Sequence, residues 1–158
     1  AKSASALNHP NIITIYEIGE AENIHFIAAE YIKGKTLNEY AKKNHLDIKS
    51  SLNIAVQIAS ALDEAHVAGI IHRDIKPDNI MIRENGLVKI LDFGIAKPMA
   101  DSEFRKAKQQ NESLTKNTPK SHVTGIGTIL GTADYMSPEQ AKGKQVDARS
   151  DIFSFGIV

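Results

Sequence analysis

The 158-residue sequence contains no cysteine, which excludes a disulfide scaffold and any thiolate metal site and suits a reducing cytoplasm. It has no net charge either, since 19 basic side chains balance 19 acidic ones. A balanced chain carries no basic stripe for a polyanion, so no nucleic-acid partner is expected. Long apolar runs are also missing. The most hydrophobic stretches, 24–32 and 54–62, are broken by polar residues and fall far short of the roughly 20 residues that span a bilayer. No secretory leader pattern is visible. His9, His25, His45, His66 and His122 show no His-Glu-x-x-His spacing, so surface or capping roles are expected for them rather than metal binding. What remains, 42% apolar and 24% charged residues, describes an ordinary soluble globular piece.

Hydrophobic periodicity supplies the first positive signals. Ile12, Ile13, Ile15 and Ile18 around Tyr16, then Ile24, Phe26 and Ile27, form two β-rich runs with residues 19–23 as the turn between them. Between 47 and 68, Leu52, Ala55, Val56, Ala59, Leu62 and Ala65 recur at three- and four-residue steps. That spacing predicts an amphipathic helix with this stripe as its apolar face, ended by Gly69. Residues 80–83 and 87–90, separated by Glu84-Asn85-Gly86, read as a hairpin whose Asn-Gly turn meets the need for positive φ.

Three motifs then occur in one order: His72-Arg73-Asp74-Ile75-Lys76-Pro77-Asp78-Asn79, Asp92-Phe93-Gly94, and Ser137-Pro138-Glu139. A triplet such as His-Arg-Asp arises by chance, and Asp74 alone would read as a solvated or capping carboxylate. The combination, extended by Ile95-Ala96-Lys97 and by Gly131-Thr132-Ala133-Asp134-Tyr135-Met136 before Ser137, removes that reading. Together these segments resemble the serine/threonine protein kinase family, in its bacterial, eukaryotic-like branch, over nearly the whole chain.

The resemblance implies an α+β, partial protein-kinase-like fold, from the end of the family's C helix to the start of its F helix. Residues 1–30 would be a small-lobe remnant, 31–35 the hinge, and 36–158 the large-lobe portion. The activation segment would run over 92–139. It also implies roles. Asp74 would be the base that takes the proton of a substrate hydroxyl, and Lys76 would place a positive charge near the γ-phosphate of ATP. Asn79 and Asp92 would supply oxygen ligands to Mg²⁺. Backbone groups of Glu30 and Ile32 would bond adenine beside a small gatekeeper, Ala29, with Met81 as the apolar floor. His72 and Phe93 would stack with Ile15 and Ala4 in an internal hydrophobic column, and Gly94 would complete the Asp-Phe-Gly motif. Asp151 would anchor the catalytic loop, and the arginine that in the family pairs with a glutamate such as Glu139 is expected downstream of these 158 residues.

The middle of the activation segment, 101–122, is rich in Lys, Gln, Asn, Ser and Thr, so a mobile regulatory loop is expected there. Thr128, four residues before Thr132, has the family's spacing for an activating phosphothreonine, which Arg73 would pair. Thr115, Thr118 and Thr124 are weaker candidates. Thr132 itself would bond Asp74 and Lys76. No Gly-x-Gly-x-x-Gly loop precedes these motifs, and the strand lysine that should follow such a loop has no counterpart either. The 158 residues are therefore expected to be an inactive fragment of a kinase that uses ATP and Mg²⁺ on protein serine or threonine hydroxyls. A homodimer would serve autophosphorylation, and the catalytic domain would face the cytoplasm, with room for a membrane anchor elsewhere in the gene product. The alternative is a pseudokinase or ATP-binding scaffold, whose mark would be loss of Asp74, Asn79 or Asp92. All three are present.

Overall fold

The computed structural model describes residues 7–22, 24–44, 46–93 and 133–158. Strands β1 (Ile15–Ala21) and β2 (Ile24–Ala29) pair antiparallel as a sheet of their own. Their turn is tighter than the sequence suggests, because residues 19–21 continue β1 and Gly19 pairs with Phe26. Glycine usually signals a turn. Here it keeps a strand position clear, since a Cβ at residue 19 would lie 2.7 Å from the Phe26 ring. Glu22, at a φ of 52°, reverses the chain instead.

A second sheet has the order β3–β4–β5, formed by Gly34–Thr36, Ile80–Arg83 and Val88–Ile90, all antiparallel. Gly34 and Lys35, expected in the hinge, thus belong to β3. A Cβ at residue 34 would meet the Ile82 carbonyl oxygen at 2.4 Å, so only glycine lets β3 approach β4 this closely. Between β4 and β5 the loop closes over three residues, with bonds from Gly86 N–H to the Arg83 carbonyl and from Arg83 N–H to the Leu87 carbonyl, each 2.9 Å. Gly86 supplies the positive φ of 81° that this loop needs at its last position. The segment before β1 pairs with the far edge of the sheet, through bonds between Ile90 and both Asn11 and Ile13.

Helix α1 (Leu37–Lys43) starts on a capping box between Thr36 and Glu39, and α2 (Ile48–Val67) starts on Asp47, whose carboxylate accepts the Ser50 N–H at 2.7 Å. Gly69, at a φ of 74°, follows its end as predicted. The buried face of α2 is rotated from the expected one. Ile54, Ile58, Ala61, Leu62 and Ala65 point into the core, whereas Leu52 and Val56 are 60% and 68% exposed. The helix carries apolar residues on two sides, and periodicity alone cannot say which side a sheet will cover. Packing against β5 decides it. Ile58, Leu62, Ile80, Val88 and Ile90 are at most 1% exposed in that core, and each such side chain contributes about 1.5–3 kcal/mol. Asn11 joins the helix to the sheet by donating to Gln57 at 2.9 Å and to the Val88 carbonyl at 2.8 Å.

Two further helices follow, α3 (Pro138–Ala141), capped by Ser137, and α4 (Ala148–Ile157), capped by Asp147. Among the described residues no helix is long and apolar enough to cross a membrane. Ala4, Gly94, Thr115, Thr118, Thr124, Thr128, Thr132, His45, His122 and the expected mobile stretch 101–122 lie outside the described residues.

Candidate active site

The loop between α2 and β4 gathers most of the singled-out side chains. Pro77 starts a single 3-10 turn, Pro77–Asn79, because its fixed φ suits a first helical position and its missing N–H leaves no donor unpaired. That turn folds Asn79 back over Asp74. The Asn79 amide nitrogen donates to the Asp74 carbonyl at 2.8 Å and to Asp74 Oδ2 at 3.0 Å, and Lys76 Nζ lies 3.0 Å from the same carboxylate oxygen. Three motif residues therefore meet at one oxygen. Asp92 comes alongside through its neighbour, since Leu91 N–H donates to the Asn79 carbonyl at 2.9 Å. The Asp92 side chain is exposed, on a backbone at a φ of 57°.

Arg73, next to Asp74, also has a left-handed backbone, with a φ of 69°. A non-glycine residue in this region costs on the order of 1–3 kcal/mol and persists only where its surroundings enforce it. Asp151, 1% exposed at the start of α4, enforces it here. Its carboxylate accepts the His72 N–H at 2.8 Å and the Arg73 N–H at 2.7 Å. His66 Nε2 donates to it too, at 2.8 Å. The expectation of a surface or capping role for His66 is thus corrected: its side chain is 15% exposed and packs on a buried carboxylate.

His72 is 1% exposed and meets the Phe93 ring edge-on, with centroids 4.7 Å apart. Asp74 N–H donates to His72 Nδ1 at 3.2 Å, so the ring proton sits on Nε2, which donates to the Leu91 carbonyl at 2.7 Å. Burial holds the imidazole below its ordinary range, against the opposite pull of that carbonyl and of the carboxylates of Asp151, Asp74 and Asp92. Ile15 lies on β1, outside the buried cluster that contains Phe93.

Glu30 and Ile32 occupy the link between β2 and β3, with Ile32 buried and Met81 half-buried on β4. The Glu30 side chain does something the sequence did not signal. Its carboxylate accepts from Lys89 Nζ, from Arg83 Nη2 at 2.6 Å and from the Thr14 N–H at 2.9 Å. Lys89, 6% exposed, also donates to the Ile12 carbonyl at 3.0 Å. Burial alone would raise the Glu30 carboxyl, but the Lys89 and Thr14 bonds and the charges of Lys89 and Arg83 outweigh it and hold the group below the usual glutamate range. A carboxylate held low in the folded state adds stability above its unfolded value, and that stability is lost as pH falls through the folded value. Acidification below about pH 4.5 should therefore lower the wild-type melting temperature. In Glu30→Gln that acid slope should be shallower, and stability at neutral pH should fall by about 3 kcal/mol because two cations lose their partner. Thermal melts from pH 3 to 7 measure both effects; parallel curves for the two proteins would contradict this reading.

At the far end of the expected activation segment, Glu139 takes Ser150 as its partner: the buried Ser150 hydroxyl donates to its carboxylate, and that bond, first among several, lowers the Glu139 carboxyl below its ordinary range. Next to it, Gln140 donates to the Arg73 carbonyl at 2.7 Å, another contact that no motif announced. Ser154, buried on α4, donates to the Tyr135 carbonyl at 2.6 Å.

Asn79 commits its amide nitrogen to Asp74, which leaves the amide oxygen as the atom able to meet a cation. With the Asp92 carboxylate this makes a donor set of hard oxygens, the chemistry magnesium selects. Among the described residues there is no group of three or more histidine, cysteine or acidic side chains able to hold an ion by themselves. Phosphate and water oxygens would have to complete the coordination.

The protein kinase domain family matches residues 1–158. Over the whole chain, identity is 43% to serine/threonine-protein kinase PrkC of Bacillus subtilis and 42% to serine/threonine-protein kinase PknB of Mycolicibacterium smegmatis. The chain spans 22% and 23% of the lengths of those relatives. The crystal structure of the Mycobacterium tuberculosis PknI kinase domain superposes on 98% of the chain and 49% of that domain, with a TM-score of 0.67 and 26% identity. Mixed strands and helices thus form part of a kinase fold, and the chain belongs to the protein kinase family, on its bacterial serine/threonine branch.

Proposed function

We propose that the intact gene product transfers the γ-phosphoryl group of ATP to serine or threonine hydroxyls of proteins. The observation that carries this reading is the meeting of Asn79 and Lys76 on one carboxylate oxygen of Asp74, each at 3.0 Å. Asp74 accepts the hydroxyl proton while the hydroxyl oxygen bonds to the γ-phosphorus. The bond from that phosphorus to its bridging oxygen breaks, and ADP leaves with the electron pair. Lys76 stabilises charge on the transferring group and holds the Asp74 carboxylate in place. Asn79 and Asp92 would hold Mg²⁺, whose charge would offset that of the phosphates.

Adenine is held by the backbone of Glu30 and Ile32, with Met81 beneath it, and the Glu30 carboxylate, engaged by Lys89 and Arg83, fixes that backbone. Phosphorylation of Thr128 would supply an anion for Arg73 to pair, and Thr132 would shape the substrate groove. Protein substrates dock from the cytoplasm, and a homodimer serves autophosphorylation in trans. The 158 residues contain no glycine-rich loop, so they carry half of the phosphate clamp, and tight nucleotide binding belongs to the longer product.

Calorimetric titration tests the metal assignment. The intact product should bind a non-hydrolysable ATP analogue with an affinity that rises at least tenfold when Mg²⁺ is added, and Asp92→Ala should remove that gain. The 158-residue chain alone should bind weakly under both conditions. A magnesium gain that survives Asp92→Ala would overturn the assignment, as would tight binding by the short chain.

A further inference from the structure

We propose that Gln140 is a positioning residue for Asp74, fixing the peptide that carries it; the inference rests on the phosphotransfer reading above. Both ends of the Gln140 side-chain amide are used. On one side its Oε1 accepts the Ser137 N–H at 3.2 Å, which completes the cap of α3, while Ser137 Oγ accepts the Gln140 N–H at 3.4 Å. On the other, Nε2 donates to the Arg73 carbonyl at 2.7 Å. With an acceptor role at one end and a donor role at the other, the amide has a single satisfactory orientation.

The carbonyl it meets belongs to the peptide that joins Arg73 to Asp74. That peptide's other polar atom, the Asp74 N–H, donates to His72 Nδ1 at the longer distance of 3.2 Å. One peptide plane is therefore held at both edges, and the shorter of the two bonds comes from Gln140. Arg73 sits just before this plane in the left-handed region, a conformation with an easy route back to ordinary φ unless its neighbours prevent it. Asp151 restrains the amide side of Arg73 from α4, and Gln140 restrains the carbonyl side from α3. Rotation of the plane would swing the Asp74 side chain away from Asn79 and Lys76. Gln140 directly follows Glu139, so the end of the activation segment is joined to the base by a single side chain.

Two substitutions separate this role from helix capping. Gln140→Glu keeps an oxygen for Ser137 and sets a second oxygen against the Arg73 carbonyl. Gln140→Lys removes the acceptor for Ser137 and keeps a donor within reach of that carbonyl. In the intact product, Gln140→Glu should lower kcat about ten- to a hundredfold with KM for ATP unchanged, the scale expected when a catalytic group is displaced by about an ångström. It should also speed hydrogen exchange at the Asp74 amide about tenfold, while Gln140→Lys stays within about threefold of wild type in both. Wild-type kcat and exchange in Gln140→Glu would overturn the proposal, and a loss confined to Gln140→Lys would assign Gln140 to the cap alone. If the wild type transfers no phosphoryl group, the proposed function fails, yet the exchange rates still decide the role of Gln140.

Discussion

Asp151→Ala is expected to unfold the catalytic loop and to cost about 3–5 kcal/mol, the largest stability loss of any single change considered for this chain. The carboxylate is 1% exposed and accepts from two backbone amides and an imidazole. Alanine would leave the amides of His72 and Arg73 without acceptors in a site closed to water, each at about 1–3 kcal/mol. It would also release Arg73 from its left-handed backbone, which recovers part of the loss. Asp151→Asn keeps one acceptor oxygen and should cost roughly half as much. Against a total stability of about 5–15 kcal/mol for a domain, the alanine change is a large fraction. Urea titrations of both variants measure the difference. A midpoint for Asp151→Ala close to that of wild type would show that the loop is held by other contacts.

Those elements that depend on neighbours in sequence were legible in advance. Asp47 and Gly69 bracket α2 where a cap and a terminator should lie, because capping chemistry is local. Gly86 marks the hairpin turn for the same reason. The face of α2 was not legible, since Leu52 and Val56 are as apolar as Ile54 and Ile58 and only contact with β5 separates them. Gly19 misled in a similar way: its conformational freedom suggests a turn, whereas its use here is to make room for the Phe26 ring.

Within the site, His72, Asp74, Lys76 and Asn79 could be found because they fall in eight consecutive residues that fold on themselves. Asp92 joins them across a short hairpin. Three residues that were missed, His66, Lys89 and Gln140, act over long separations from their partners. His66 and Asp151 are 85 positions apart, Lys89 and Glu30 are 59, and Gln140 and Arg73 are 67. Each pairs a common polar residue with a carboxylate or a carbonyl, and nothing local distinguishes such a residue from a solvated one. Lys89 gave the one available signal: a lysine between Val88 and Ile90 in a three-residue strand that is buried throughout must find a partner.

Asp74→Asn should produce the largest functional effect, because it removes the proton acceptor and leaves the frame around it. The Asp74 side chain is 26% exposed and Lys76 19%, so their ion pair is worth about 1 kcal/mol or less to stability. Asparagine keeps an oxygen for the Asn79 amide, and the Asp74 carbonyl that Asn79 also uses is unchanged. The melting temperature and the affinity for ATP should both stay near wild type. Loss of a positioned base lowers a rate by about 10²- to 10⁴-fold. The decisive measurement is transfer of label from γ-labelled ATP, with Mg²⁺, to protein serine and threonine by the intact wild-type product and by its Asp74→Asn variant. Labelled phosphoserine or phosphothreonine from wild type and a rate at least about a hundredfold lower from the variant is the predicted result; equal labelling by the two proteins, or none by either, would contradict it.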